Sequence, residues 1–258
     1  MSATPKSSPP YSHILFDCDS TLSSIEGIED LAGEHAEQIS ALTDRAMNGE
    51  VPLEDVYGAR LDLIRPDLEQ LDAVGERYIE TALPHAHELI AALHSLGKEV
   101  HIISGGLLHP VAMLAEDLGV DAARVHAVCT KHTDEGSYID FDRTSPLARA
   151  GGKPEWIAEL FPELAQRSCD DASPASTRLA LIGDGATDLE AAPLCERFIA
   201  FGGVHKREAV FAGADECCDK ADFAGLLALL VSGHEVDILR RDVAFHSLIA
   251  QATLYGGI

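Results

Sequence analysis

His13-Ile14-Leu15-Phe16-Asp17-Cys18-Asp19-Ser20-Thr21-Leu22 is the stretch on which the fold turns. Its opening is a short apolar run closed by turn-forming polar residues, the pattern of a buried parallel strand. Side chains two apart on a strand share a face, so Asp17 and Asp19 are predicted to stand together at the strand's carboxyl end. Open α/β sheets bind their ligands along that edge. Two carboxylates this close need a cation or a shared proton, which marks the pair as a candidate metal site. The plainer reading is a solvated loop or a helix cap, and the rest of the chain decides against it.

Working outward, residues 22–83 contain no strand-like run. Apolar spacings of three and four within 26–32, 39–47 and 57–64 predict helices, punctuated by Pro52, Pro66 and Pro84. From Pro84 onward, helix and strand patterns alternate, as in a doubly wound α/β sheet. A helix over 88–96 closes at Gly97, and a strand over 100–103 runs into Ser104-Gly105-Gly106. A helix near 107–118, a strand over 125–129 and a hairpin over 130–142 follow, with Gly136 near the hairpin turn. A loop over 147–154 leads to a helix near 155–161 and a hydrophilic connector to 176. The strand over 179–182 stops at Gly183-Asp184-Gly185, and a strand over 198–201, a helix near 206–212, a short strand and helices from about 223 complete the chain.

The chain's 258 residues suffice for one sizeable core and a smaller inserted subdomain. Hydrophobic residues make up 46%, which excludes a disordered chain. Acidic residues outnumber basic ones 43 to 19, a formal charge of −24, which disfavours nucleic acid and anionic membranes as partners. An anionic substrate would need local positive groups. No run of 18 apolar residues predicts a membrane span, and the Pro/Ser-rich first twelve residues lack a signal-peptide core. The six cysteines have neither zinc-like spacing nor a compact disulfide framework, so reduced thiols and a cytoplasmic location are expected.

Three apolar runs thus end in polar, glycine-containing turns at Asp17/Asp19, Ser104 and Asp184. A parallel sheet with crossover helices brings all three to one edge. Lys153 follows Gly151-Gly152 and opens a helix. A phosphoryl group needs what this set offers: a divalent cation on carboxylates, a lysine charge, a hydroxyl and backbone N–H donors at helix starts. Carboxylates without His or Cys suit Mg²⁺.

At this point the sequence resembles the haloacid-dehalogenase-type phosphatases, and among them the branch that acts on phosphoserine. Asp17-Cys18-Asp19-Ser20-Thr21, Ser104-Gly105-Gly106, Gly152-Lys153 and Gly183-Asp184-Gly185-Ala186-Thr187-Asp188 follow the family's four motifs in order. Glu26-Gly27-Ile28-Glu29-Asp30-Leu31-Ala32, Arg45-Ala46-Met47-Asn48-Gly49 and Arg60-Leu61 match the branch. The resemblance covers residues 13 to about 227 and implies a Rossmann-like core over 13–21 and 84–258. It also implies a helical cap over 22–83, behind a disordered lead-in over 1–12. It further implies that Asp17 is the nucleophile forming an aspartyl-phosphate and Asp19 the general acid and base. Mg²⁺ would be held by Asp17, Asp184 and the backbone carbonyl of Asp19, with Asp188 ordering a metal-bound water and Lys153. Ser104, Gly105, Gly106, Lys153 and Thr187 would lie on the phosphate side. Glu26, Met47, Gly49 and Arg60 would form the cap pocket for O-phospho-L-serine, Glu26 facing its ammonium and Arg60 its carboxylate.

Other features receive structural readings. Cys18 is predicted to turn away from the site as a buried thiol, and Cys217-Cys218 to sit in a short buried strand. His85 and His87 are expected to be surface histidines, His85 standing where the family's turn usually has glycine. Another small phosphomonoester, or transfer of the phosphoryl group to an alcohol, remains open as the reaction. So do a monomer or homodimer and the placement of the amphipathic C-terminal segment.

Overall fold

A computed structural model describes residues 11–47, 53–166 and 177–256. Its centre is β1 (His13–Phe16), where Ile14, Leu15 and Phe16 are fully buried. After it come α1 (Gly27–Asp30), α2 (Ala36–Met47), α3 (Leu53–Ile64), α4 (Leu68–Glu80) and α5 (Ala86–Ser95), then β2 (Glu99–Leu107), α6 (Leu108–Asp117) and β3 (Val125–Val128). The hairpin strands β4 (Thr130–His132) and β5 (Tyr138–Phe141) precede α7 (Gly152–Leu160), β6 (Leu179–Gly183), α8 (Ala186–Ala191) and β7 (Arg197–Phe201). The chain continues through α9 (Glu208–Gly213), β8 (Glu216–Cys218), α10 (Leu227–Leu230), α11 (Gly233–Leu239) and α12 (His246–Leu254).

Six strands form one parallel sheet in the order β3-β2-β1-β6-β7-β8. The chain winds from β1 outward to β3, then crosses to β6 and winds outward to β8. That reversal places the topological switch point beside β1, where doubly wound sheets open a crevice at their strand carboxyl ends. The predicted doubly wound α/β sheet is therefore the observed one.

The predicted helices between β1 and β2 are present, with α4 as an addition that Asp67 starts through a capping box with Gln70. Strand β2 is longer than predicted, running through Ser104-Gly105-Gly106 to Leu107. Its pairing with β3 is irregular between Ile103 and Leu107, so the glycine segment belongs to a distorted strand end rather than to a separate turn. The β4–β5 hairpin leans on the inserted helices. Arg143 donates to Asp62 at 2.8 Å and to Asp140 at 2.9 Å, and Arg65 donates to the Tyr138 carbonyl at 3.1 Å.

The C-terminal segment packs on the sheet: Phe223 lies 5.6 Å from both Phe16 and Phe201, and Lys98 reaches Glu235 at 2.6 Å. Residues 1–10 of the expected lead-in lie outside the described residues, while Tyr11 is buried and so belongs to the core. His85 departs from the expectation of a surface side chain. It is half-buried, holds φ +59° before α5 and bonds Asp222 at 2.8 Å; that left-handed backbone is the one glycine adopts most readily. His87 is exposed and pairs with Asp117.

Cys18 is buried as expected, but at the edge strand β8 only Cys218 is buried and Cys217 is exposed. Cys18, Cys129, Cys217 and Cys218 carry free thiols, and Cys169 lies outside the described residues. Among the described residues, no helix is long and apolar enough to cross a membrane.

Candidate active site

The crevice edge gathers side chains from five loops. Asp17 follows β1 and accepts the Cys18 N–H at 2.8 Å, so its carboxylate starts the tight turn Cys18–Leu22. Lys153, in the first turn of α7, brings Nζ to 2.9 Å from Asp17 Oδ1 and 2.6 Å from Asp188 Oδ1. Asp188, on α8, accepts the Gly185 N–H at 3.0 Å through its other oxygen. A Cβ on Gly183 would lie 2.2 Å from the Asp188 carboxyl carbon, so this close approach admits only glycine.

Asp17, Asp184 and Asp188 are buried, and one carboxylate oxygen from each lies within 4.8 Å of the others. This oxygen-only cluster is one that a divalent cation fits. Burial, followed by the Asp17 charge, pushes Asp184 up to about 6 and Asp188 up to about 7. Both shifts measure the cost of burying a carboxylate and of crowding it against a like charge. Burial alone would lower Lys153, but Asp17 and Asp188 hold its pKa above the ordinary lysine value.

Asp19 is built differently. Its Oδ1 accepts the Gly27 N–H at 2.8 Å and the Tyr78 hydroxyl at 2.5 Å, and its Oδ2 faces Ser104 Oγ at 3.3 Å. Burial and then Asp17 raise its pKa. The backbone that brings Asp17 and Asp19 to the strand's carboxyl end is a turn rather than a continued strand. The strand ends at Phe16, and the chain folds into a tight turn with Ser20 at φ +52°. The Asp19 side chain, bonded to Gly27, Tyr78 and Ser104, is not one of the three clustered carboxylates, yet it lies close enough to Asp17 to feel its charge. Positive φ at a non-glycine residue is a strained state that functional loops retain.

Ser104 is buried, and its hydroxyl accepts the Gly106 N–H at 2.9 Å. A Cβ on Gly106 would come within 2.9 Å of Asp19 Oδ2, which ties this glycine to the aspartate. Tyr57 of α3 donates its hydroxyl to the Gly105 carbonyl at 2.9 Å, joining the inserted helices to this loop. Glu26 accepts from Ser20 Oγ at 2.6 Å, and burial followed by Asp19 pushes it up to about 7. Arg60, one turn beyond Tyr57, has its Nε buried with no hydrogen-bond partner. Thr187 stands half-buried in the first turn of α8. Met47 is the last residue of α2, and Gly49 lies outside the described residues, so neither is placed in the site.

Sequence reasoning missed Arg207. Its Nε donates to Asp184 Oδ2 at 3.0 Å, and its Nη2 lies 3.9 Å from Glu26 Oε1. A signal existed: β7 ends in Phe201-Gly202-Gly203, another strand–glycine turn on the same edge, with a cation following. Tyr57 and Tyr78 were also missed, because nothing local in sequence ties a helical tyrosine to a distant loop.

A family model described as haloacid dehalogenase-like hydrolase matches residues 14–193. The chain belongs to that family. It is 37% identical over 205 residues to phosphoserine phosphatase of Drosophila melanogaster, covering 78% of this chain and 72% of the relative. With the Homo sapiens phosphoserine phosphatase it shares 35% identity, covering 74% and 81% of the two chains. A solved phospho-aspartyl intermediate analogue of phosphoserine phosphatase superposes with a TM-score of 0.66 at 28% identity, covering 86% of this chain and all of that one.

Proposed function

We propose that this chain is a Mg²⁺-dependent phosphoserine phosphatase, releasing L-serine from O-phospho-L-serine in cytoplasmic serine biosynthesis. The observation that carries the reading is the division between two aspartates one residue apart. Asp17 lies with Lys153 among clustered carboxylates, whereas Asp19 is held apart by Tyr78, Gly27 and Ser104.

In this reading Asp17 attacks phosphorus and the seryl oxygen leaves with a proton from Asp19. The resulting aspartyl-phosphate is hydrolysed by a water that gives its proton back to Asp19, freeing phosphate and Asp17. Burial favours the protonated form of Asp19, as a general acid requires. Mg²⁺, held by Asp17, Asp184 and the Asp19 carbonyl, would offset the repulsion between carboxylate and phosphate. Asp188 fixes Lys153, and Lys153, Ser104 and the Gly105 and Gly106 backbone bind phosphoryl oxygens, with Thr187 alongside. Residues 22–83 act as a cap on a core of 13–21 and 84–258. Glu26 recognises the substrate ammonium and Arg60 its carboxylate, with Met47 and Gly49 lining the same pocket. The unpartnered Arg60 Nε is the kind of donor a carboxylate satisfies.

A panel of phosphomonoesters assayed with Mg²⁺ and with chelator tests the reading. Phosphoserine should give the highest kcat/KM, and chelator should abolish turnover. Arg60→Ala should lower kcat/KM for phosphoserine by about 10²-fold and leave an aryl phosphate nearly unchanged. Equal losses on both substrates would remove phosphoserine as the substrate.

A further inference from the structure

One cluster of ligating side chains lies outside the reaction just described. His13 opens β1, Glu99 opens β2, and His101 follows two residues later; parallel register sets His13 opposite Glu99 and Leu15 opposite His101. One potential ligand atom from each of the three lies within 4.8 Å of the others. His101 is 7% exposed, and its Nε2 is buried without a hydrogen-bond partner. A buried nitrogen left in that state calls for an explanation, and a bound ion is one of the ordinary ones.

The remaining polar atoms of the cluster are already engaged. His13 Nδ1 meets Ser12 Oγ at 2.9 Å, while its Nε2 lies 3.9 Å from Glu99 Oε1. Arg124 holds the other Glu99 oxygen through Nε at 3.1 Å and Nη2 at 2.9 Å. His101 Nδ1 faces His126 Nε2 at 3.4 Å. Phe161 packs edge-on against both His13 and His101, with centroids 5.0 and 5.6 Å away. Each of the three side chains therefore has one atom held by a neighbour, the outer support that metal ligands usually receive, and a second atom left for a ligand role.

We propose that His13 Nε2, Glu99 Oε1 and His101 Nε2 form a binding site for a borderline divalent transition metal of the Zn²⁺ class. Two imidazoles and one carboxylate select Zn²⁺, Co²⁺ or Ni²⁺ over Mg²⁺, which prefers oxygen ligands. Bonds of about 2.0–2.1 Å require some contraction of the present spacing. The exposed Glu99 and half-buried His13 can supply it while His101 stays anchored in the sheet. Exposure of Glu99 also gives the ion a way in. The site lies at the amino ends of β1 and β2, at the opposite edge from Asp17, so the ion ties two strand starts together and takes no part in phosphoryl transfer.

The test uses full-length protein stripped with chelator, returned to millimolar Mg²⁺ to saturate the carboxylate site, and titrated with Co²⁺. Wild type should take up one Co²⁺ equivalent, seen as visible absorption, with a melting temperature raised by at least about 3 °C. The His13→Gln/Glu99→Gln double variant alters only partly exposed side chains and so avoids unfolding the core. It should lose that equivalent, weakening Co²⁺ binding at least tenfold, with its circular dichroism and Mg²⁺-dependent turnover retained. Asp184→Asn should keep the Co²⁺ site. Absence of Co²⁺ uptake by wild type under Mg²⁺, or unchanged uptake by the double variant, would overturn the proposal.

Discussion

The two ends of β1 carry side-chain clusters four residues apart in sequence and opposite in construction. At the carboxyl end, Asp17 sits among acidic groups, Asp184 and Asp188, that burial and then its own charge raise, with Lys153 and Arg207 as the compensating cations. At the amino end, burial lowers His13 and pushes His101 and His126 down to about 4, so the rings are neutral and pack against Phe161 and Trp156. One end holds charge in conflict, beside a strained Ser20 backbone. The other holds neutral nitrogens on regular strands. Chemistry on an anion needs the first arrangement, because a cation bound there relieves repulsion built into the fold and, with Lys153, leaves positive charge for a phosphoryl group.

Substitutions at the two ends should break this contrast in order of severity. Asp17→Asn should reduce phosphoserine turnover by at least about 10⁴-fold, measured by phosphate release, since the proposed mechanism has no other group to replace its nucleophile. Lys153→Met should cost about 10²–10³-fold in kcat. It should also lower the melting temperature, because it leaves Asp17 and Asp188 buried without their cation. Arg207→Ala should raise KM for phosphoserine by about tenfold, read from steady-state kinetics.

A smaller effect tests the electrostatics. Glu26 and Asp188 stand at about 7 and Asp184 at about 6, all raised first by burial. The folded protein thus retains protons that the unfolded chain releases, so stability in chelator should fall as pH rises from about 4 to about 7. Thermal melts between pH 5 and 7.5 should show a drop of a few degrees, and Mg²⁺ should shrink it by favouring the ionised carboxylates. A rise in chelator would contradict the assignment of these shifts. At the amino end, His13→Gln alone should change kcat/KM by less than about twofold.

The difference between the ends also explains what the sequence made legible. Asp17 and Asp19 are near neighbours, and Ser104, Lys153 and Asp184 each follow an apolar run or a glycine pair, so strand order alone brings them to one edge. What the sequence did not show was the local backbone at Asp19, because the strand stops at Phe16 and the turn at Ser20 takes its place. The histidine cluster left no comparable trace. His13, Glu99 and His101 meet only through the β1–β2 register, across more than eighty residues of intervening chain, and no spacing rule joins them. Tyr57 and Tyr78 were hidden for the same reason, since their hydroxyl partners lie on other elements.

The central claim is that the Asp17 carboxylate, poised by Lys153, carries the phosphoryl group in transit. Rapid acid quench of a single turnover with ³²P-labelled phosphoserine, followed by peptide mapping, tests it directly. Label should appear transiently on the peptide containing Asp17 and vanish in Asp17→Asn. Turnover that proceeds with no labelled enzyme, or with label on another residue, would contradict the account.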